Sequence, residues 1–410
     1  MRMKRVVITG MGAVSPFGRG MDTLAEALIE GRSGVTRVPA LAGIVGMRTR
    51  VAALAAGVDP IEIPRKFRRS MSAMSVFATL AARDAAAQGG LDESHFAGGR
   101  LGVSIGSTVG STQTTQEFFD DFRIDNSLER MKSTVFFHIM NHSCATNVAH
   151  ALGITGRIVA PSAACSTGCL AVGYAAEMIA AGKQDFMLCG GADEFHPLTA
   201  GTFDIMNAAS TRYNDAPSAT PRPFDRDRDG IVCAEGGGIL LLEALDSALR
   251  RGAGILAEVI GFASTSDPAS IANPDPDRIA LCMRQALEDA RITPSEVDYV
   301  NAHATATELG DIAESDAILA VFGERVPVSS LKGHMGHAMA ASGALELAAS
   351  VEMIRRELLI PTRNLENIDP RCGSIRHVTR PIHRRVDTIM KNNFALGGVN
   401  SSIIVRRFRP

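Results

Sequence analysis

Residues 161–189 read P-S-A-A-C-S-T-G-C-L-A-V-G-Y-A-A-E-M-I-A-A-G-K-Q-D-F-M-L-C. Between Cys165 and Ala181 every residue is small or apolar except Glu177. That composition predicts a helix buried on nearly all sides; Gly182 punctuates it, and Asp185–Cys189 predicts a strand. A helix and a strand that both lack a polar face require a layered α/β body with its sheets covered.

The same alternation extends in both directions. Upstream, the pattern predicts a strand at Arg5–Thr9, a turn at Gly10-Met-Gly12, helices at Met21–Glu30 and Met71–Gln88, and a strand at Arg100–Ile105. Downstream come an apolar run Ile231–Leu242, strand Glu258–Ala263, helix Arg278–Ala290, strand Val297–Asn301, helix Asp311–Phe322, strand Val326–Ser329, helix Ala338–Leu358 and strand Ser402–Arg406. The chain divides into halves 1–250 and 251–410 that are not obviously repeated in sequence. No low-complexity linker separates them, so one body is expected.

Composition narrows the function. The 410 residues are 46% hydrophobic, with a net charge of −2, no Trp, three Tyr and 39 Gly. A large core of small aliphatic residues is implied, and no electrostatic case for nucleic acid exists. The seven cysteines include no C-x-x-C pair, so neither a disulfide framework nor a zinc site has its spacing. No run approaches the roughly 18 apolar residues of a membrane helix. The opening M-R-M-K-R leads directly into a strand without a signal-peptide pattern, and a cytoplasmic protein is expected.

Three motif-like stretches carry little. Gly10-Met-Gly12 lacks the third glycine of a dinucleotide fingerprint. Asp225-Arg-Asp227-Arg-Asp229-Gly230 starts like a calcium loop, but Gly236 stands where the twelfth-position Glu belongs, so a charged turn is expected. Asp246-Ser247 lies in an ordinary amphipathic helix pattern.

Cys165 is different. Expected at the N-terminus of its helix, it gains from free N–H groups and the helix dipole, which favour a thiolate. Cys169, one turn further, reads as packing. A cysteine among apolar residues is more often core than nucleophile, but two loops alter that balance. His303 ends a strand in Y-V-N-A-H-A-T-A-T, and Lys332 and His337 follow another in S-S-L-K-G-H-M-G-H. Strand ends are where α/β folds gather their sites. A thiol with neutral imidazole donors suits acyl transfer: the thiolate takes an acyl group, and the N–H groups bind a developing oxyanion.

With these residues in place, the chain resembles the elongating 3-oxoacyl-[acyl-carrier-protein] synthases, condensing enzymes of the thiolase-like fold. The resemblance spans V-V-I-T-G-M-G-A-V-S-P-F-G from Val6, G-R-S-G from Gly31, S-A-A-Cys165-S-T-G, R-P-F-D-R-D-R-D-G from Arg222, N-A-His303, G-D-I-A-E from Gly310, K-G-H-M-G-His337, and N-N-F-A-L-G-G-V-N from Asn392. It implies a five-layered αβαβα fold of two similar halves. It implies that Cys165 carries the acyl chain, and that His303 and His337 bind the malonyl thioester and stabilise its enolate. Lys332 would hold the histidine region with Glu314 as its buried partner, and Asp311 would support the same loop. The N–H groups of Cys165 and Leu396 would form the oxyanion hole, while Thr305, Thr307 and Phe394 would contact the phosphopantetheine arm and substrate. No metal or cofactor is implied, because substrates arrive on the phosphopantetheine of a separate acyl carrier protein.

The chain departs from the family pattern at His303-Ala-Thr-Ala-Thr, where H-G-T-G-T is usual, and at Phe394-Ala-Leu-Gly-Gly-Val-Asn, where F-G-F-G-G-T-N is usual. Leu396 replaces an aromatic gate. The reacting groups are intact, and the departures bear on which fatty-acid, polyketide or polyene chain is elongated. A homodimer is implied, with a heterodimer containing a chain-length-factor-like subunit as the alternative. A non-catalytic partner subunit typically lacks the cysteine. Thiolases use a second catalytic cysteine, and CoA-dependent initiators a Cys–His–Asn set. Carrier proteins are acidic, and Arg65, Lys66, Arg68 and Arg69 form a candidate docking cluster.

Overall fold

The apolar run that starts at Val6 does not turn at Gly10-Met-Gly12. In the computed structural model, which describes residues 3–409, it continues as one ten-residue buried strand, β1 (Val6–Ser15). Met1 and Arg2 of the opening lie outside the described residues. Gly10 and Gly12 serve packing: a Cβ on either would sit 2.0 Å from the carbonyl oxygen of Ala85 or Ala81 on helix α1 (Ala73–Gln88). Glycine here brings strand and helix backbones together, and it was this pair that mimicked a turn.

Ten further strands complete the main path: β2 (Leu101–Gly106), β3 (Ile158–Val159), β4 (Phe186–Asp193), β5 (Gly236–Ala244), β6 (Ala257–Ser266), β7 (Tyr299–Asn301), β8 (Pro327–Ser329), β9 (Arg376–His377), β10 (Thr388–Ala395) and β11 (Val399–Arg406). Their spatial order is β9-β8-β7-β10-β11-β6-β1-β5-β4-β2-β3, and Gly18–Arg19 pairs with β1 as the twelfth strand. The path contains a repeat invisible in the residues. From β1 outward the chain pairs antiparallel with β5, antiparallel to β4, then parallel to β2 and β3. From β6 outward it pairs antiparallel with β11, antiparallel to β10, then parallel to β7 and β8. Among the described residues, three pairs of the main sheet, Val6–Ile8 with Ala257–Val259, join the two sets of strands.

Helices make the layers. α1 and α2 (Ser143–Leu152) cover one outer face, and α4 (Pro276–Ala290) and α5 (Glu308–Phe322) the other. Between the halves lie α3 (Thr167–Ala180) and α6 (Ser342–Arg356): α3 packs on β2, β4 and β11, and α6 on β5 and β10. This is the αβαβα arrangement. Every residue of α6 from Ser342 to Ile354 is buried, as a central layer demands.

Several boundaries differ from the sequence pattern. The helix expected from Cys165 begins at Thr167, after a 3-10 turn, Ala164–Ser166. The helix expected from Ala338 begins at Ser342, again after a 3-10 turn. Strand β10 was masked by Lys391, Asn392 and Asn393, polar residues buried inside it. The Asp225–Gly230 stretch is a charged turn: Asp225 accepts N–H bonds from Asp227, Glu366 and Asn367, and Asp229 from Thr211 and Arg212. Asp225 and Asp229 thus hold backbone N–H groups, and Asp227 pairs with the Arg226 guanidinium at 3.2 Å. All seven cysteines are buried and free.

Candidate active site

Ala164, at φ +46°, holds a left-handed conformation unusual for a residue with a Cβ, and it swings Cys165 to the tip of the turn before α3. Hydroxyls fix that tip: Ser166 Oγ donates to the carbonyls of Asn393 (3.0 Å) and Val399 (2.9 Å). The expectation that helix position favours a thiolate is corrected. Burial pushes the Cys165 thiol up to about 12, against the opposing Lys332 charge and the N–H groups of Cys165 and Leu396. Desolvation outweighs the local dipoles, and the resting group is a thiol. The two N–H groups that face the sulfur are the ones expected to form the oxyanion hole. Cys169 is fully buried in the core, as expected of a packing residue.

His303 follows β7. Glu314, reaching in from α5, accepts the N–H groups of His303 (2.8 Å) and Ala304 (2.7 Å). Asp311 accepts those of Ala306 (3.1 Å) and Phe224 (2.8 Å) and lies 3.6 Å from the Arg228 guanidinium. Two carboxylates therefore hold the His303–Thr307 loop in shape, including Ala306 at φ +69°. The hydroxyls of Thr305 and Thr307 are 3.2 Å apart. His337 pairs through Nδ1 with Ser342 Oγ at 2.8 Å, and its buried Nε2 has no partner. The two imidazoles meet edge to face at 5.3 Å, and Phe394 lies 6.2 Å from His303. Cys165 Sγ and one ring nitrogen of each histidine lie within 4.8 Å of one another. Burial, reinforced by the charge of Lys332, holds both rings well below the ordinary histidine pKa, so they are neutral.

Lys332 lies beside this group, but its ion-pair partner is not Glu314. It pairs with Glu346 of α6 at 2.7 Å, and the other Glu346 oxygen pairs with Lys391 of β10 at 2.6 Å. Glu314 contributes only charge at a distance, because its oxygens are occupied by backbone N–H groups. Asp193, at the end of β4, accepts from Thr108 Oγ1 (2.6 Å) and from the N–H of Ala340 (2.8 Å), which secures the loop after His337. Burial pushes its carboxyl up to about 6.

A cavity of about 430 Å³ runs from Cys165 and His303 past Thr305, Thr307, Phe394 and Leu396 to the surface. Of the sequence-derived residues, Cys165, His303, Thr305, Thr307, Glu314, Phe394 and Leu396 line this cavity, while His337, Lys332 and Asp311 do not; His337 joins the site through its closeness to Cys165 and His303. Sequence reasoning missed Glu346, Lys391, Asn393, Ser342 and Asp193. One left a legible signal: Glu346 is a lone charge inside an apolar run, and such a residue requires a buried counter-charge.

The geometry has known counterparts. The Beta-ketoacyl synthase N-terminal domain matches residues 3–248 and its C-terminal domain residues 256–366. The chain is 36% identical over 409 residues to 3-oxoacyl-[acyl-carrier-protein] synthase 1 of Escherichia coli (strain K12), covering 99% of this chain and 100% of that one. It superposes on the crystal structure of a beta-ketoacyl synthase from Burkholderia phymatum STM815 with a TM-score of 0.96, at 42% identity, covering 99% and 100% of the two chains. It superposes with a TM-score of 0.91, at 32% identity and 99% and 100% coverage, on a structure described as a type II polyketide-synthase acyl-carrier protein in complex with its ketosynthase. A thiol beside two neutral imidazoles, in a fold and family match shared end to end with these proteins, shows that this chain belongs to the beta-ketoacyl synthase family of acyltransferases.

Proposed function

We propose that this chain performs the decarboxylating condensation of an acyl group on Cys165 with a malonyl group on a carrier protein, in fatty-acid or polyketide chain elongation. The observation that carries this reading is the meeting of Cys165, His303 and His337 within 4.8 Å of one another, with Cys165 and His303 lining the cavity. In the first half-reaction the Cys165 sulfur attacks the acyl thioester carbonyl. The carrier thiol leaves with the proton that Cys165 gives up, and the N–H groups of Cys165 and Leu396 bind the tetrahedral oxyanion. In the second, the malonyl thioester lies against His303 and His337. Its carboxylate departs as carbon dioxide, and the bond's electron pair passes to the thioester oxygen as an enolate held by imidazole N–H groups. The enolate carbon then attacks the acyl–Cys165 carbonyl. Collapse of that adduct expels the Cys165 sulfur as a thiolate, which takes up a proton from water to restore the thiol, and releases the 3-oxoacyl thioester.

The reading extends to partners. A separate acyl carrier protein would deliver both substrates by phosphopantetheine, with Thr305, Thr307 and Phe394 along the arm's route. Its acidic surface matches Arg65, Lys66, Arg68 and Arg69, none of which is in a salt bridge among the described residues. Leu396, 41% exposed at the cavity wall and followed by two glycines with positive φ, is placed to gate access. A non-catalytic subunit role is disfavoured because the nucleophile is present with both histidines beside it.

Mass spectrometry tests the assignment. Incubation with an acyl-carrier donor adds one acyl group to Cys165, and Cys165→Ala abolishes both the adduct and elongation. Elongation by Cys165→Ala at the wild-type rate would overturn it.

A further inference from the structure

Asn393 stands in the middle of β10, clamped on every side. It pairs with Ser401 across β11, and its carbonyl accepts from Ser166 Oγ at 3.0 Å and Ser401 Oγ at 3.2 Å. Its side chain is wholly buried. Nδ2 donates to the carbonyl of Cys165 at 3.1 Å and lies 3.4 Å from Nδ1 of His303. The carbonyl of Cys165 can only accept, so the NH2 end of the amide faces it; the flipped amide would press two oxygens together. The orientation leaves Asn393 Oδ1 buried without a partner. The NH2 group has a second hydrogen, and that hydrogen faces His303 Nδ1. A nitrogen facing an obligate donor is the one without a proton. The ring is neutral, so its one proton must sit on Nε2.

We propose that Asn393 is a positioning residue that fixes His303 as its Nε2–H tautomer and ties that imidazole to the main chain of the nucleophile. The inference rests on the condensation reading for its purpose, because Nε2–H is what would donate to the enolate oxygen. It also decides between two chemistries that the same cluster allows. Cys165, His303 and His337 are close enough for a soft metal ion to be considered. A metal ligand must present a lone pair, whereas the Nε2–H tautomer presents a hydrogen. The Asn393 amide thus selects a hydrogen-bond donor over a ligand.

The experiment uses full-length protein labelled with 15N-histidine, with His303→Gln assigning the His303 signal. The wild type is expected to carry the His303 proton on Nε2. Asn393→Ala is expected to give a mixture of tautomers, and Asn393→Asp, whose carboxylate accepts from Nδ1–H, is expected to favour the Nδ1–H form. Malonyl decarboxylation should fall in both by a factor on the order of 10–10², and Asn393→Gln should recover part of it if the longer amide reaches Nδ1. A wild-type proton on Nδ1 would overturn the proposal. So would an Asn393→Ala protein in which the tautomer is unchanged while decarboxylation falls, since that would mark a structural role only. If the tautomers behave as expected and the wild type nonetheless makes no 3-oxoacyl product, the condensation reading fails and the Asn393 assignment stands.

Discussion

Glu346 is a single carboxylate between two buried ammonium groups, Lys332 and Lys391, all three without solvent exposure. Burial pushes Lys332 below the ordinary lysine pKa; Glu346 opposes that shift and Lys391 adds to it. Removing the shared carboxylate leaves two uncompensated buried charges, whereas removing one lysine leaves a matched pair. Glu346→Gln is therefore expected to cost about 3–5 kcal/mol of stability, and Lys391→Met distinctly less. Urea unfolding of the two variants checks the order, and an equal loss would show that the shared carboxylate is not the keystone. At this scale the reacting groups were legible, because Cys, His and Lys in strand-end loops are chemically conspicuous. Their supporting partners were not. Glu314 precedes Lys332 and Glu346 follows it, each at modest sequence distance, and only the direction each helix face takes decides which carboxylate meets the ammonium.

At the scale of elements, the spacing between nucleophile and His337 depends on two helices touching backbone to backbone. A Cβ on Gly168 of α3 would lie 2.4 Å from the carbonyl oxygen of Ala340, and one on Gly343 of α6 would lie 2.6 Å from the nitrogen of Cys169. Each glycine admits the neighbouring helix start, and with it the loop that carries the partner residue. Gly343→Ala must push α6 away from α3. It is expected to destabilise by about 1–3 kcal/mol, as overpacking does, and to slow condensation more than acylation of Cys165. Gly254→Ala, with no atom within 4 Å of its added Cβ, is the control and should do neither. Thermal melts and the two half-reaction rates measure both effects. The apolar periodicity showed that α3 is central. It could not show β10, whose buried lysine and asparagines look like a surface loop until their partners are in place.

At the scale of the whole molecule, one flank remains uncovered. Phe119, Ile124, Leu128, Phe136 and Phe137 are each more than half exposed. They lie in residues 112–139; separately, β3 ends the main path of the sheet, with β2 as its one neighbour among the described residues. Large apolar side chains left exposed, and a strand edge left open, are features that a second chain can cover. A homodimer through this flank is expected: light scattering should give twice the 43.4 kDa chain mass, and Phe136→Asp with Phe137→Asp should shift it toward monomer. A monomeric wild type would refute it. Among the described residues no helix is long and apolar enough to cross a membrane, so this flank has no such role through a spanning helix.

Local pattern was enough to establish the alternation of strands and helices, the unpolar central helix after Cys165, and the thiol, imidazole and lysine types required for acyl transfer, because propensity and hydrophobic period act over a few residues. The topological repeat of the two halves, the Lys332–Glu346–Lys391 bridge, the protonated resting thiol and the facing of Asn393 toward His303 were settled only by tertiary structure. Each depends on desolvation or on a contact between groups far apart along the chain, and those quantities do not exist until the layers close.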